Sequence, residues 1–296
     1  MIKATILGAD TECAGELIRI LVHHPDVEIV SAVSAACDGE RVDRVHRGLT
    51  GDTDLVISAQ APTPIGGAVF VCAGDVPADL ADDARVIDMT GAMTADPDWV
   101  LGVGELNRKA LVRGATRAAM PDIAVQTAVA VLMPVIKEGM LDGEVTVTCP
   151  RHCADGCHCG AVRTVADAET DARLIMEAIR QEQPHFSGTV KVVQGEGDAL
   201  TVSFFSGVDG QALRQVYDKH IADHNFCFTV DSPAPTQDVT NTNKCLMHIA
   251  VDGHRATVTA TIDPRIKGCA GAAVHIMNLL YGLHERTGLA LKALGR

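Results

Sequence analysis

The chain has 296 residues, of which 47% are hydrophobic, and it is therefore long enough to bury a large core and to form two domains. Its 38 acidic residues outnumber its 25 Lys and Arg residues, which gives a net charge of −13 at pH 7. A surface of this sign repels phosphate backbones and anionic lipids, so nucleic acid and membranes are excluded as partners.

The first half of the chain predicts short strands that alternate with helices. Apolar residues recur at helical spacing over 14–24 and 122–141, and Asp122 is placed to cap the second of these helices. The apolar runs that predict buried strands are 3–8, 27–34, 54–59, 68–73 and 85–90. Strands that alternate with helices in this way indicate a parallel sheet.

From about residue 144 the pattern changes to strands in which apolar and polar residues alternate. These strands are predicted at 144–149, 189–194, 199–208, 245–253 and 255–263. They surround helices at 168–181 and 209–223, and a last helix is predicted at 270–288.

The predicted fold class is α/β, with two domains. A Rossmann-like, nucleotide-binding-type domain with a parallel sheet is expected over 1–143 plus 270–296. An inserted α+β domain of mostly antiparallel sheet is expected over 144–269.

The sequence also predicts the cellular compartment of the protein, and the compartment indicates the chemistry of its cysteines. The N-terminal residues show no signal-peptide pattern, and the longest apolar run, 123–136, contains Pro134 and is too short to span a bilayer. We therefore expect a cytoplasmic protein, whose ten cysteines act as thiols, metal ligands or redox groups before disulfides. Five of them have apolar or small neighbours and are expected to pack in the core: Cys13, Cys37, Cys72, Cys227 and Cys269.

Four segments carry a family resemblance: 14–30, 103–111, 235–245 and 263–289. Their order and spacing resemble those of N-acetyl-gamma-glutamyl-phosphate reductases, which are relatives of aspartate-semialdehyde dehydrogenases. The resemblance covers nearly the whole chain. It implies an NADP-dependent oxidoreductase of the arginine-biosynthesis type that reduces an acyl phosphate to a semialdehyde. It also implies a small-molecule ligand and an inserted domain that forms a homo-oligomer.

The same resemblance locates the family's catalytic groups, and several of them are missing from this chain. The family's cysteine, which attacks the acyl carbon from the start of a helix, aligns with Ile123. An isoleucine cannot form a thioester. The family's His-Arg-His segment has no match in 161–170, and its substrate-binding residues after the fifth strand are replaced over 90–94. The family reaction is therefore expected to be lost or altered.

Five positions are implied to bind the cofactor: Gly8, Thr11, Ala14, Asn243 and Lys267. Thr11 and Ala14 stand where the family has glycines, which let the backbone approach a pyrophosphate at a helix N-terminus. The neighbouring Asp10 and Glu12 add negative charge. We therefore expect weak binding of NAD or NADP. The segments that contain Asn243 and Lys267 can equally serve to hold two domains together.

The segment 149–160 contains four cysteines and two histidines. Thiolates select zinc or an iron–sulfur cluster, and the ligands of such a site would be Cys149, Cys153, Cys157 and Cys159. Three alternatives stay open. Cys153 could be a displaced nucleophile with His158 or His152 as its base, the loop could contain a disulfide, or it could be a tight turn of free thiols.

Two classes of function remain. The first is a diverged oxidoreductase of the semialdehyde dehydrogenase type with a non-standard nucleophile. The second is a pseudoenzyme that binds a metal or regulates another protein, because a shared fold does not by itself establish a shared function. The remaining histidines of interest are expected to pack or to cap helices: His23, His24, His46 and His275.

Overall fold

The computed structural model describes residues 1–150 and 165–293. The chain divides into two compact units. The first comprises 1–121 and 269–291, and the second comprises 122–268 and the last residues of the chain. The division falls earlier than the change of sequence pattern near residue 144, because the helix that starts at residue 123 packs with the second unit. No helix in the described ranges is long and apolar enough to cross a membrane.

The first unit contains a seven-stranded sheet in which every neighbouring pair of strands is parallel. Its strands are β1 (Ile2–Leu7), β2 (Val27–Val33), β3 (Ile57–Ser58), β4 (Ala68–Val71), β5 (Arg85–Asp88), β6 (Val100–Leu101) and β7 (Arg117–Ala119). Their order across the sheet is β3-β2-β1-β4-β5-β7-β6. The predicted Rossmann-like parallel sheet is confirmed. The sequence missed β6 and β7, which are only two and three residues long.

Four helices belong to the first unit: α1 (Glu12–Leu21), α2 (Val42–Val45), α3 (Gly104–Val112) and α7 (Gly271–Leu280). The two longest are buried in different ways. The buried residues of α1 include Ala14, Leu17, Ile18 and Leu21, which is the spacing of one helix face. Every residue of α7 is buried, and its sequence, GAAVHIMNLL, contains no Asp, Glu, Lys or Arg.

The second unit packs three helices against a six-stranded sheet. The helices are α4 (Ile123–Lys137), α5 (Val165–Glu182) and α6 (Gly210–Ile221). The strands are β8 (Glu144–Cys149), β9 (Thr189–Gln194), β10 (Leu200–Phe205), β11 (Cys227–Val230), β12 (Cys245–Asp252) and β13 (Arg255–Ile262). Their order is β11-β12-β13-β10-β8-β9. The three inner pairs are antiparallel and the two outer pairs are parallel, so the predicted α+β unit has a mixed sheet.

A hydrogen bond from a side chain to the backbone joins helix α4 to helix α6, near the C-terminal end of α4. Pro134 lies inside this helix and has no N–H to donate within it. One turn earlier, the carbonyl of Val131 accepts a hydrogen bond of 2.9 Å from the hydroxyl of Tyr217 on α6. Tyr217 is fully buried, and burial raises the pKa of its hydroxyl. The phenol therefore stays protonated and ties α6 to α4.

We expect Tyr217→Phe to lower the free energy of unfolding by about 1–2 kcal/mol, because the hydrogen bond is lost in a buried setting. The other tyrosine of the chain, Tyr281, provides a matched control. Its hydroxyl is buried and has no hydrogen-bond partner among the described residues, so Tyr281→Phe should be neutral or slightly stabilising. Urea unfolding measures both effects, and equal losses in the two variants would contradict the assignment.

Candidate functional site

The turn between β1 and α1 contains three of the predicted cofactor residues. Gly8 has a φ of +76°, and a Cβ there would lie 2.6 Å from that of Ala73, so only glycine fits. Thr11 is the N-cap of α1: its hydroxyl accepts from the N–H of Ala14 at 3.2 Å and donates to the carbonyl of Gly8 at 2.8 Å. Two backbone groups of the turn, the carbonyl of Gly8 and the N–H of Ala14, are therefore bonded within the turn itself. The hydroxyl occupies an N–H group that would otherwise be available to an anion.

The side chain of His46 also packs against this turn. The Nε2 atom of His46 lies 2.7 Å from the carbonyl oxygen of Ala9. A Cβ on Gly15 would lie 2.5 Å from the Nδ1 atom of the same ring. Gly15 is therefore needed for the close approach of the imidazole, and His46 packs on the turn as expected.

A disulfide joins Cys13, in the first turn of α1, to Cys269, just before α7. The expectation that both are thiols packed in the core was wrong. The fold brings the two cysteines together, although they are 256 positions apart in sequence. No local sequence pattern relates them. Both cysteines are partly exposed. The bridge therefore links the first turn of α1 to the segment that leads into α7.

The cysteines outside the bridge, within the described residues, offer no obvious replacement for the family's nucleophile. Cys72 follows β4 at the carboxyl edge of the parallel sheet, where active groups of such sheets collect. Burial raises the pKa of its thiol to about 12, so it is protonated at neutral pH and is a poor nucleophile. The other cysteines outside the bridge in 1–150 and 165–293 are Cys37, Cys149, Cys227 and Cys245, of which the last three are buried.

The start of α4 is the place where the family's cysteine would stand. Asp122 caps the helix as predicted, with its carboxylate accepting from the N–H of Ala124 at 2.8 Å. Ile123 follows at the first helical position. Its side chain packs onto Gly268 so closely that a Cβ at residue 268 would collide with it. The Nε2 atom of Gln126 also lies 3.3 Å from the carbonyl oxygen of Gly268. An apolar contact therefore fills the position that the family resemblance aligns with the catalytic cysteine.

Asn243 and Lys267 belong to two neighbouring segments of the second unit. The carboxylate of Asp263 joins these segments, since it accepts from the N–H of Asn241 at 2.6 Å and from that of Arg265 at 2.9 Å. Lys267 is buried. Asn243 is only 2% exposed, yet neither its amide nitrogen nor its amide oxygen has a hydrogen-bond partner among the described residues. A buried amide left unpaired is costly, and it is a group that a polar ligand can satisfy.

The cysteine-rich segment is described only at its beginning. Cys149 ends β8 and is buried, and its carbonyl accepts from the N–H of Gly195 at 2.8 Å. The other residues of the predicted site lie outside the described residues: His152, Cys153, Cys157, His158 and Cys159. Within 1–150 and 165–293, no three His, Cys, Asp or Glu residues lie where they could hold a metal ion. The metal site, zinc or iron–sulfur, and the displaced nucleophile stay predictions.

The histidines near α7 pack as expected. His275 is buried, and its Nε2 atom lies 2.7 Å from a carboxylate oxygen of Glu285, whose other oxygen forms an ion pair of 2.8 Å with Arg108. His24 does not cap a helix: its Nε2 atom contacts the side-chain oxygen of Asn278 at 3.1 Å. Burial lowers the pKa of His24, which is therefore neutral at pH 7.

Sequence reasoning missed two features of this region. Thr11 as N-cap was recognisable, because a threonine directly precedes the apolar helical pattern of α1. The contact between Ile123 and Gly268 was not recognisable, since it depends on the folding of segments that are far apart in sequence.

The chain is similar to known proteins in sequence and in fold. Residues 3–113 match the family model for the NAD binding domain of semialdehyde dehydrogenase. N-acetyl-gamma-glutamyl-phosphate reductases from Bacteroides thetaiotaomicron and Phocaeicola vulgatus are 31% and 30% identical to the chain, and each alignment covers 99% of both proteins.

Two solved structures share the fold at low sequence identity. Aspartate semialdehyde dehydrogenase with NADP from Candida albicans has a TM-score of 0.71 at 16% identity, with 95% of this chain and 98% of that chain covered. Aspartate semialdehyde dehydrogenase II complexed with ASA from Vibrio cholerae has the same TM-score and coverage at 14% identity.

Proposed function

The chain belongs to the N-acetyl-gamma-glutamyl-phosphate reductase family, and from this we propose that it is a diverged member that has lost the family's thioester chemistry at position 123. Ile123 carries the proposal. It occupies the first position of α4, where a helix N-terminus would activate a thiol, and its side chain packs on Gly268. A hydrocarbon side chain supplies neither a nucleophile nor a proton. An assay of acyl-phosphate reduction with NADPH tests the proposal directly.

The residues present fit a nicotinamide cofactor only in part. The turn at the start of α1 does not fit a pyrophosphate, because Thr11 occupies the N–H of Ala14 and Glu12 places negative charge in the first turn. When bound, such a cofactor would supply hydride. The turn at the start of α1 would contribute little affinity for its phosphate groups.

We therefore expect the bridged protein, prepared without reductant, to bind NADPH or NADH with a Kd of about 1 mM or weaker, which corresponds to roughly −4 kcal/mol. Isothermal titration calorimetry measures it. Thr11→Gly should improve the Kd, because it frees the N–H of Ala14 and restores a glycine to the turn. Thr11→Ser keeps the capping hydroxyl and is the matched control. A micromolar Kd for the unaltered protein would show that the turn binds phosphate in its capped form.

A homo-oligomer is the second part of the proposal. The side of the six-stranded sheet that bears Val145, Val147 and Val202 is buried, whereas the alternate residues are partly exposed. Phe205 lies on this partly exposed side of the sheet. It is 46% exposed, which is high for a large apolar residue on a strand. A second copy of the chain that covers this face would bury it.

Phe205→Glu is expected to shift the protein towards monomers, because a carboxylate would have to be desolvated at the interface. Val112→Glu is the matched control, since Val112 is equally exposed but lies on α3. Sedimentation velocity distinguishes the species. An unchanged distribution for Phe205→Glu would place the interface elsewhere.

A further inference from the structure

A cavity lies at the amino edge of the parallel sheet, where strands β1, β4, β5 and β7 begin. This amino-edge cavity has a volume of about 1130 Å³ and is lined by residues of the first unit. Strand β1 begins there at Ile2 and ends at Leu7, directly before the turn of Gly8. The cavity therefore lies at the opposite edge of the sheet from that turn, and it is large enough for a small organic ligand.

Arg85, the first residue of β5, brings a cation to this cavity. Its guanidinium carbon lies 4.5 Å from the centroid of the Tyr281 ring. Among residues 1–150 and 165–293, the guanidinium forms no ion pair and donates no hydrogen bond. A guanidinium that is held over a ring keeps its N–H groups free for a carboxylate, which it can bind through two parallel hydrogen bonds.

The hydroxyl of Tyr281 is a second donor beside this guanidinium. It is buried and has no hydrogen-bond partner among the described residues, which is costly unless a ligand supplies one. Burial raises the pKa of Tyr281 to about 12, so the hydroxyl is protonated at neutral pH. The charge of Arg85 opposes this rise in pKa and the charge of Asp83 adds to it, because both charges lie near the hydroxyl.

The charges around the cavity favour a ligand of mixed charge. The basic side chains of the lining are Lys3 and Arg85, and the acidic ones are Asp26, Asp82 and Asp83. The acidic groups repel a dianion such as phosphate, whereas a ligand that has both a carboxylate and an ammonium group matches both sets.

Much of the remaining lining is apolar, and it fits an aliphatic group of the ligand. The residues that provide this surface are Ile2, Val30, Pro62, Pro64, Ile65 and Leu283.

We propose that the amino-edge cavity is a binding site for a free aliphatic α-amino acid. The carboxylate of the ligand accepts hydrogen bonds from the guanidinium of Arg85 and from the hydroxyl of Tyr281, and its ammonium group pairs with Asp83. Its side chain packs on the apolar lining. A ligand bound there joins the starts of β1 and β5 to the end of α7, and it stabilises the protein by mass action. The site does not depend on the chemistry at position 123.

The first test titrates the full chain with L-leucine, L-isoleucine and L-valine by isothermal titration calorimetry. We expect at least one of them to bind saturably with a Kd of about 1 mM or tighter and to raise the Tm at saturation. The amide of that amino acid lacks the carboxylate, and its N-acetyl form lacks the ammonium group. Each derivative should bind about tenfold more weakly or not at all.

The second test removes the guanidinium. Arg85→Met keeps an unbranched side chain over the ring of Tyr281 and should weaken binding about tenfold or more. Arg117→Met is the matched control, because Arg117 begins β7 and lies over the ring of Trp99 but does not line the cavity. This variant should bind the amino acid as the unaltered protein does.

The third test assigns the other two contacts. Tyr281→Phe should weaken binding about fivefold, because one donor is lost. Since the stability of this variant without ligand is expected to be unchanged or slightly higher, the loss would report on the ligand and not on the fold. Asp83→Asn should weaken binding of the free amino acid but not that of its N-acetyl form, because only the free form has an ammonium group.

The outcomes that overturn the site are specific. Absence of saturable binding for all three amino acids by the folded protein overturns it. Equal affinities for the acid and its amide, or for the unaltered protein and folded Arg85→Met, overturn the assignment of the carboxylate to Arg85. Circular dichroism checks the folding of each variant. If Arg85→Met does not fold, the derivatives and Tyr281→Phe decide the same question. None of these titrations uses NADPH or an acyl phosphate, so a failure of this site is distinguishable from a failure of the proposed function.

Discussion

Purified protein is expected to reduce N-acetylglutamyl phosphate with NADPH at a rate about 10⁴-fold or more below that of a reductase with the family's cysteine, because removal of a nucleophile has effects of this size. Ile123 cannot attack the acyl carbon, and the thiol of Cys72 is held protonated by burial. The measurement is the loss of NADPH absorbance with excess acyl phosphate. Phosphate-dependent oxidation of the semialdehyde measures the reverse direction.

Ile123→Cys sharpens this test. A thiol at the first position of α4 lies at the positive end of the helix dipole, which favours the thiolate. We expect mass spectrometry to find one acyl group per chain on this variant after incubation with the acyl phosphate. Ile123→Ser introduces a hydroxyl that is similar in size to the thiol of Ile123→Cys but much less nucleophilic, and this variant should carry no acyl group. Robust turnover by the unaltered protein would contradict the prediction, and its loss in Cys153→Ala would then assign the nucleophile to the cysteine-rich segment.

Glu285→Leu is expected to lower the free energy of unfolding by about 2 kcal/mol, because it removes the buried carboxylate that contacts the ring of His275 and pairs with the half-exposed Arg108. Glu285 is 5% exposed and contacts both His275 and Arg108. The ring of His275 in turn lies directly on Gly104, where a Cβ would collide with it. Urea unfolding measures the change. A loss below about 1 kcal/mol would show that the network stabilises the fold little.

The charge of Glu285 can be separated from its shape. Burial alone would raise the pKa of this carboxyl, but the hydrogen bond from His275 and the charge of Arg108 lower it below its ordinary value of 4.5. A lowered pKa stabilises the fold at pH values above that of the unfolded carboxyl, and this stabilisation is lost as the pH falls through the folded value. Glu285→Gln keeps the shape but not the charge. Its Tm should therefore fall less than that of the unaltered protein between pH 6 and about pH 3.

Much of the fold was predictable because it depends on local signals. Strand β9 matches its predicted bounds, and Asp122 caps α4 as its position before the apolar pattern indicated. Strands β6 and β7 were missed because they are too short to show a period, and their place in the sheet comes from their neighbours. Helix α3 and strand β11 were not predicted either.

The site was predictable to a smaller extent, because its contacts join residues that are distant in sequence. The turn at Gly8 and Thr11 could be located from the order of strand and helix. The partners of the turn could not, since Cys269 and His46 reach it only through the fold. In the same way, the contact of His24 with Asn278 spans 254 positions, so the sequence indicated only that a histidine stands near a helix end.

The first unit is assembled from two stretches that are far apart in the chain, and this affects the order in which the two units fold during synthesis. A ribosome delivers 122–268 as one continuous stretch. The second unit can therefore begin to fold while the residues after 268 are still being synthesised. The first unit must wait, because 269–291 supply its wholly buried helix α7. Until that helix emerges, the apolar surface of 1–121 stays uncovered and available to chaperones. The Cys13–Cys269 bridge can form only after residue 269 has been delivered, and its presence in a chain therefore marks that both stretches of the first unit have met.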